Sequence, residues 1–266
     1  MVLNPTGTKA PLFSVLGSLK IGRHLAPDHP FIQLLPPVDR TTNHATAITE
    51  LADHCIRLIR AIQPHGPYCL SGYSIGAIVA LEIAPQLDSQ RAKVVFLALI
   101  DPDPPRPFRK DFFMRNAHRE GLGAALRAQF ARVRARLGRA IAPCSREEAQ
   151  DPIAAGYREF SAERKVFTFP GVYRASACPC PLTLLISDGP EGSPPHPSFM
   201  DERLDWRNVA RHGCDVHPIP GDHLTMNQEP HVRILADRLR ECLAKVLQVT
   251  TLLSIDAQFL ETLGSL

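Results

Sequence analysis

Long apolar runs are missing from this 266-residue sequence, which contains no stretch of about 18 consecutive apolar residues, the length that a membrane-spanning helix needs. The first residues, Met1-Val2-Leu3-Asn4, also lack the basic and then apolar segments of a secretory signal. We therefore expect no membrane span and a cytoplasmic location.

Paired cysteine spacing is also missing, because the seven cysteines are an odd set without the spacing of zinc ligands. The one close pair, Cys178 and Cys180, flanks a proline just before a predicted strand, and we assign it no role. The sequence thus favours a reducing compartment, and we expect neither a disulfide framework nor a bound metal or cofactor.

Strong charge of one sign is absent as well, since 30 Lys and Arg stand against 27 Asp and Glu. A formal net charge of +3 is too mild to indicate a nucleic-acid partner. Hydrophobic residues make up 44% of the chain and can fill a substantial core. We predict a single domain over residues 1–266.

Short apolar runs alternate with segments of helical periodicity, which is typical of an α/β fold. The pattern predicts strands at residues 12–16, 31–35, 68–71, 93–100, 181–187 and 216–219. It predicts helices at residues 45–62, 77–84 and 232–247, with Pro85 ending or kinking the second. The almost continuous apolar run at 93–100 indicates a mostly parallel central sheet with helices on both faces.

A basic segment interrupts this alternation. Residues 106–139 carry ten Lys or Arg and two acidic residues, with apolar residues at helical spacing. We predict a helical lid insertion over the sheet, spanning about residues 106–173.

The pentapeptide Gly72-Tyr73-Ser74-Ile75-Gly76 lies between a predicted strand and a predicted helix. Small residues at both ends permit the sharp turn of a nucleophile elbow, which holds a serine hydroxyl above the sheet. The helix that follows adds backbone N–H groups and its dipole, which favour a developing oxyanion. We therefore predict Ser74 as the nucleophile and the Ile75 N–H as an oxyanion donor.

A serine nucleophile needs a base to accept its proton. In proteins with a nucleophile elbow, this histidine follows the serine and the acid along the chain. His223 is favoured because it lies in a Gly-Asp-His loop between the last predicted strand and the final helix. His217 and His231 are interpreted as surface residues.

An acid must orient that histidine. Asp101 ends the strand after the nucleophile helix, Asp188 ends the later strand, and Asp103 is a third candidate in a turn-like segment.

Two blocks of sequence carry a family resemblance. Residues 63–76, Gln-Pro-His-Gly-Pro-Tyr-Cys-Leu-Ser-Gly-Tyr-Ser-Ile-Gly, and residues 220–226, Pro-Gly-Asp-His-Leu-Thr-Met, resemble the thioesterase domains that end nonribosomal peptide and polyketide synthases. The resemblance covers about residues 11–247 and implies an α/β-hydrolase fold. It implies release of an acyl, peptidyl or polyketide chain from the phosphopantetheine thioester of an acyl or peptidyl carrier protein. Release would be by hydrolysis or cyclisation through an acyl-Ser74 intermediate.

The resemblance also bears on the acid and on the oxyanion hole. It favours Asp101 over Asp188 as the acid. Asp188 remains the alternative, because the stand-alone editing members of the family carry their acid on the later strand. Family members have a His or Pro followed by paired glycines after the first strand, whereas this chain has Leu16-Gly17-Ser18. We expect the second oxyanion donor to come from Leu16 or Gly17.

Two alternative functions remain beside the thioesterase. A general carboxylesterase could use the same fold, because fold alone does not determine the substrate. A catalytically weak carrier-binding module is the other, and the altered loop after the first strand favours it. The joint presence of Ser74, Asp101 and His223 argues against that module.

The basic segment generates a kinetic prediction. If it docks an acidic carrier protein, turnover of an acyl carrier protein should fall when added salt shortens the Debye length from about 10 Å to about 3 Å. A small acyl-pantetheine substrate should be much less affected. Reversing Arg132, Arg134 and Arg136 to Glu should reproduce the loss for the carrier substrate only. Similar salt dependence of both substrates, with no selective defect in the charge-reversed variant, would leave the insertion as a simple lid over the acyl pocket.

Overall fold

A computed structural model describes residues 1–25, 27–35, 44–102, 175–189 and 209–264 of the chain. The predicted lid insertion at 106–173 and the candidate acid Asp103 lie outside these residues.

The centre of the fold is a seven-stranded sheet in the order β1-β3-β2-β4-β5-β6-β7. Its strands are β1 (Val2–Leu3), β2 (Leu12–Val15), β3 (Phe31–Leu34), β4 (Tyr68–Tyr73), β5 (Val94–Ile100), β6 (Leu182–Ser187) and β7 (Cys214–Ile219). Among these seven described strands, β1 pairs antiparallel with β3, and the other five pairings are parallel. The carboxyl ends of β2 to β7 therefore meet at one edge of the sheet.

Helices cover both faces of the sheet, and each face has its own apolar cluster. Within the described residues, the helices are α1 (Leu19–His24), α2 (His44–Ile62), α3 (Ile75–Ser89) and α4 (His231–Gly264), and a short 3-10 turn spans Thr225–Asn227. Buried residues of α2 and α3 pack on one face, and those of α1 and α4 pack on the other.

Strand β5 shows why the central strands lack an alternating polar pattern. All seven of its residues are buried. Leu97 and Leu99 join the cluster under α2 and α3, while Phe96, Ala98 and Ile100 join the cluster under α1 and α4. A strand covered on both faces needs apolar residues at every position.

The strands and helices predicted from the pattern are confirmed, with three differences. Helix α3 does not end at Pro85 but continues to Ser89, and the buried side chain of Leu87 lies beyond the proline. Packing of this last turn against the sheet outweighs the backbone hydrogen bond that a proline cannot donate. Helix α4 runs to Gly264, well past the predicted residue 247. Strand β1 and helix α1 were not predicted, because two and six residues are too short for a periodic signal.

Both glycines of the pentapeptide are required by close backbone contacts. A Cβ at Gly72 would lie 2.2 Å from the Gly76 oxygen, and a Cβ at Gly76 would lie 2.3 Å from the Val15 oxygen. The backbone at Gly76 thus lies directly against the end of β2.

We predict that Gly76→Ala lowers the free energy of unfolding by at least about 2 kcal/mol, because the new methyl group must displace backbone. Gly213→Ala is the control, since Gly213 has a φ of +102° but nothing within 4 Å of an added Cβ. It should cost only about 1 kcal/mol, from the backbone conformation. Urea unfolding measures both, and an equal loss in the two variants would contradict a steric origin.

Candidate active site

Three residues of the site share one backbone arrangement. Leu16, Ser74 and Asp101 each directly follow a parallel strand and have positive φ angles of 52°, 55° and 44°. Each also donates its N–H to a carbonyl of the neighbouring strand, at Leu34 (3.1 Å), Ile100 (2.9 Å) and Leu185 (2.7 Å), respectively. The hydrogen bonding of the sheet thus continues one residue past β2, β4 and β5, and the chain then turns sharply.

Ser74 lies between the end of β4 and the first residue of α3, Ile75. Its positive φ is unusual for a residue with a side chain and indicates a backbone held in strain. The residue is only 3% exposed. Because the first N–H groups of a helix lack intrahelical partners, the Ile75 N–H is placed to bind an anion beside Ser74.

A short hydrogen bond joins the predicted base to the predicted acid. His223 Nδ1 lies 2.6 Å from Asp101 Oδ2. The Asp101 side chain is 14% exposed and that of His223 is 43% exposed, so the carboxylate is shielded while the imidazole opens to the surface. This bond directs Nδ1 to the acid and leaves Nε2 for another partner.

The second oxygen of Asp101 is bound by a residue that the sequence analysis did not single out. Ser187, at the end of β6, donates to Asp101 Oδ1 from its backbone N–H at 3.0 Å and from its hydroxyl at 2.9 Å. Asp188 follows directly, is exposed, and donates its own N–H to Ile219 O at 3.0 Å. The structure therefore places Asp101, and not Asp188, beside His223. Strand β6, which precedes Asp188, contributes Ser187 as a hydrogen-bond donor to Asp101.

Tyr73 is the second residue that sequence reasoning missed. Its ring stacks on the His223 imidazole, with centroids 5.0 Å apart and an angle of 19° between the planes. Its hydroxyl donates a hydrogen bond to the His223 carbonyl oxygen. The variable position before the serine in a Gly-x-Ser-x-Gly motif accepts many side chains, so nothing in the pattern indicates this contact.

The loop that carries His223 is closed by its own polar side chains. Asp222 Oδ1 accepts from the backbone N–H groups of Leu224 and Thr225, both at 2.9 Å, and from the Thr225 hydroxyl at 3.0 Å. The Asp222 N–H donates to Thr225 Oγ1 at 2.8 Å. Gly221, with a φ of +99°, begins the turn. Asp222 thus shapes the loop, while His223 points to Asp101.

The loop after β2 forms the opposite wall of the elbow. A Cβ at Gly76 would lie 2.9 Å from Leu16 Cβ, which shows how closely this loop approaches. The Leu16 N–H donates a hydrogen bond to Leu34 O. Because it has this partner, the Leu16 N–H is not available as an oxyanion donor. Buried Gln33 donates from Nε2 to Gly17 O at 2.7 Å and anchors the loop from β3.

Two further histidines and six cysteines lie in other parts of the described structure. His217 and His231, which the sequence analysis assigns to the surface, are both half-buried, and His217 Nε2 lies 3.3 Å from Cys242 Sγ. The six cysteines within the described ranges are free. In the same ranges, no group of three or more His, Cys, Asp or Glu side chains could hold a metal ion. No described helix combines the length and the apolar character that a membrane crossing requires.

A mostly parallel sheet with an elbow serine and a histidine–aspartate pair at its carboxyl edge is the arrangement of the α/β-hydrolase class. Solved structures share this fold. The NocB thioesterase domain in covalent complex with a fluorophosphonate nocardicin G analog matches with a TM-score of 0.62, 22% identity, 91% of this chain and 98% of that chain. The surfactin thioesterase domain matches with a TM-score of 0.57, 17% identity, and 91% and 94% of the two chains.

The family model for the thioesterase domain matches residues 19–243, so the chain belongs to the thioesterase domain family. It is 27% identical over 268 residues to chondramide synthase of Chondromyces crocatus, covering 90% of this chain and 7% of that protein. It is 41% identical over 113 residues to indigoidine synthase of Dickeya dadantii, covering 39% of this chain and 8% of that protein. The chain thus spans less than a tenth of these relatives.

The geometry predicts unequal roles for the two candidate acids. Asp101→Asn should slow the labelling of Ser74 by a fluorophosphonate by about three to four orders of magnitude, because the amide no longer orients the imidazole correctly. Asp188→Asn should change the rate little, since Asp188 is exposed and follows the supporting serine. Ser187→Ala removes one of two donors to Asp101 and should slow labelling by about tenfold. The opposite ranking of Asp101 and Asp188 would move the acid to β6.

Proposed function

We propose that this chain is a serine thioesterase that releases an acyl, peptidyl or polyketide chain from a carrier-bound thioester. The observation that carries the proposal is the 2.6 Å bond between His223 and Asp101 at the same sheet edge as the strained Ser74 elbow. Membership of the thioesterase domain family supports a thioester as the substrate class.

In the first half-reaction, Ser74 Oγ attacks the thioester carbonyl while His223 Nε2 accepts the hydroxyl proton. Asp101 orients the imidazole and stabilises its charged form. The oxyanion of the tetrahedral intermediate accepts hydrogen bonds from the Ile75 N–H and, as the second donor, the Gly17 N–H. Collapse of the intermediate breaks the carbon–sulfur bond, and His223 returns the proton to the departing thiol.

In the second half-reaction, a nucleophile attacks the acyl-Ser74 ester while His223 again accepts its proton. Water gives a free acid, whereas a hydroxyl or amine of the bound chain gives a ring. In both cases the Ser74 hydroxyl is restored when His223 returns its proton. The same residues therefore serve hydrolysis and cyclisation, and the nucleophile that reaches the ester determines the product.

The partner in this proposal is an acyl or peptidyl carrier protein, whose phosphopantetheine arm presents the substrate. Two observations support it. First, the relatives are much longer synthases, and this chain covers only a small part of their length. Second, a four-domain nonribosomal peptide synthetase contains the same fold, with a TM-score of 0.58 over 19% of its length. The thioesterase domain needs no bound cofactor in this scheme, because the pantetheine belongs to the carrier.

Mass spectrometry of the intact protein tests the proposal. With an acyl-pantetheine thioester, the wild type should gain the mass of the acyl group, and Ser74→Ala should not. Circular dichroism should show the same fold for both proteins. The matched oxygen ester of the same acyl group should react more slowly than the thioester. Faster turnover of the oxygen ester would favour a general carboxylesterase, and acylation of the Ser74→Ala variant would exclude Ser74 as the nucleophile.

A further inference from the structure

Tyr73 directly precedes Ser74 at the elbow. It also contacts His223, which lies 150 residues later in the chain. We infer that Tyr73 is a positioning residue, which holds the His223 imidazole between its acid and the nucleophile. This inference rests on the proposed function, because it assigns to Tyr73 a role in the same reaction.

The contact has two parts, which restrain different atoms of His223. The hydroxyl of Tyr73 binds the carbonyl oxygen of His223 and therefore fixes its backbone. The ring of Tyr73 lies nearly parallel to the imidazole, at 19° between planes, and covers one of its faces. The backbone and the ring plane of the base are thus held by a single side chain.

Tyr73 itself is firmly held, which a positioning residue requires. It is the last residue of β4, pairs in register with Ile100 of β5, and is only 5% exposed. It also belongs to the apolar cluster under α1 and α4. Any shift of the β4 end would therefore move the nucleophile and the support of the base together.

A second restraint on His223 is needed because the Asp101 bond alone leaves the ring free to tilt. One hydrogen bond at Nδ1 permits rotation of the imidazole about the Nδ1–Oδ2 direction, and such rotation would change the direction in which Nε2 points. The loop shaped by Asp222 restrains only the backbone. The His223 side chain is 43% exposed, so much of its ring contacts solvent, which does not hold the ring in place. The stacked tyrosine supplies the missing restraint on its plane.

The test compares Tyr73→Phe, which keeps the stacked ring but loses the hydroxyl, with Tyr73→Leu, which loses both. Labelling of Ser74 by a fluorophosphonate should slow by about fivefold in the first variant, the effect of one lost hydrogen bond. It should slow by about 100-fold in the second, the effect of a misplaced catalytic group. With an acyl-pantetheine thioester, the loss should appear in kcat, while KM stays within about twofold.

Tyr68→Phe is the matched control. Tyr68 lies at the start of the same strand, is fully buried, and donates its hydroxyl to the Gln63 and Pro64 carbonyl oxygens, both at 3.2 Å. This variant removes a comparable tyrosine hydroxyl far from His223 and should label at the wild-type rate. If Tyr68→Phe slowed labelling as much as Tyr73→Phe, the effect would be general weakening of β4, and the inference would be wrong.

Proton NMR separates this inference from the proposed function. The low-field signal of the His223 Nδ1 proton reports the bond to Asp101 and needs no substrate. It should persist in Tyr68→Phe and in Tyr73→Phe, and it should broaden or vanish in Tyr73→Leu. A wild type that shows the signal but does not label Ser74 would overturn the proposed function alone. An unchanged signal and an unchanged labelling rate in Tyr73→Leu would overturn the positioning role.

Discussion

The continuation of the parallel hydrogen-bond ladder past the strand ends is the constraint on which the site depends. Ser74 donates to Ile100 O and Asp101 donates to Leu185 O, each one residue beyond its own strand. The backbone of the proposed nucleophile and that of the proposed acid are thus set by the same hydrogen bonds that align the strands. Because neighbouring strands in a sheet are about 4.8 Å apart, this places the two residues side by side.

Sharp turns follow immediately, and they carry a cost in backbone strain. Positive φ angles at non-glycine residues cost on the order of 1–3 kcal/mol each, and Leu16, Ser74 and Asp101 all have them. The apolar clusters on both sheet faces offset this cost. Gly72 and Gly76 contribute differently, because their lack of a Cβ lets α3 begin directly against the end of β2.

The proposed acid and base, Asp101 and His223, are supported by residues that make no contact with substrate in the proposed reaction. Ser187 holds one oxygen of Asp101 from β6, and Tyr73 covers one face of His223 from β4. Catalytic groups of this kind must be held within fractions of an ångström, which explains why each has partners on more than one element.

The sequence by itself determined the features that depend on local pattern. The apolar runs identified the strands, and the Gly-Tyr-Ser-Ile-Gly pentapeptide located the elbow, because a sharp strand-to-helix turn needs small residues at fixed spacing. The family resemblance favoured Asp101 over Asp188, but only the tertiary structure shows Asp101 in contact with His223, 122 residues away in the chain. Only the tertiary structure shows that Ser187, 86 residues away, binds Asp101. The tertiary structure also shows that the Leu16 N–H donates a hydrogen bond to β3 and that helix α3 continues past Pro85. These outcomes depend on strand order and packing between distant segments, which no local pattern encodes.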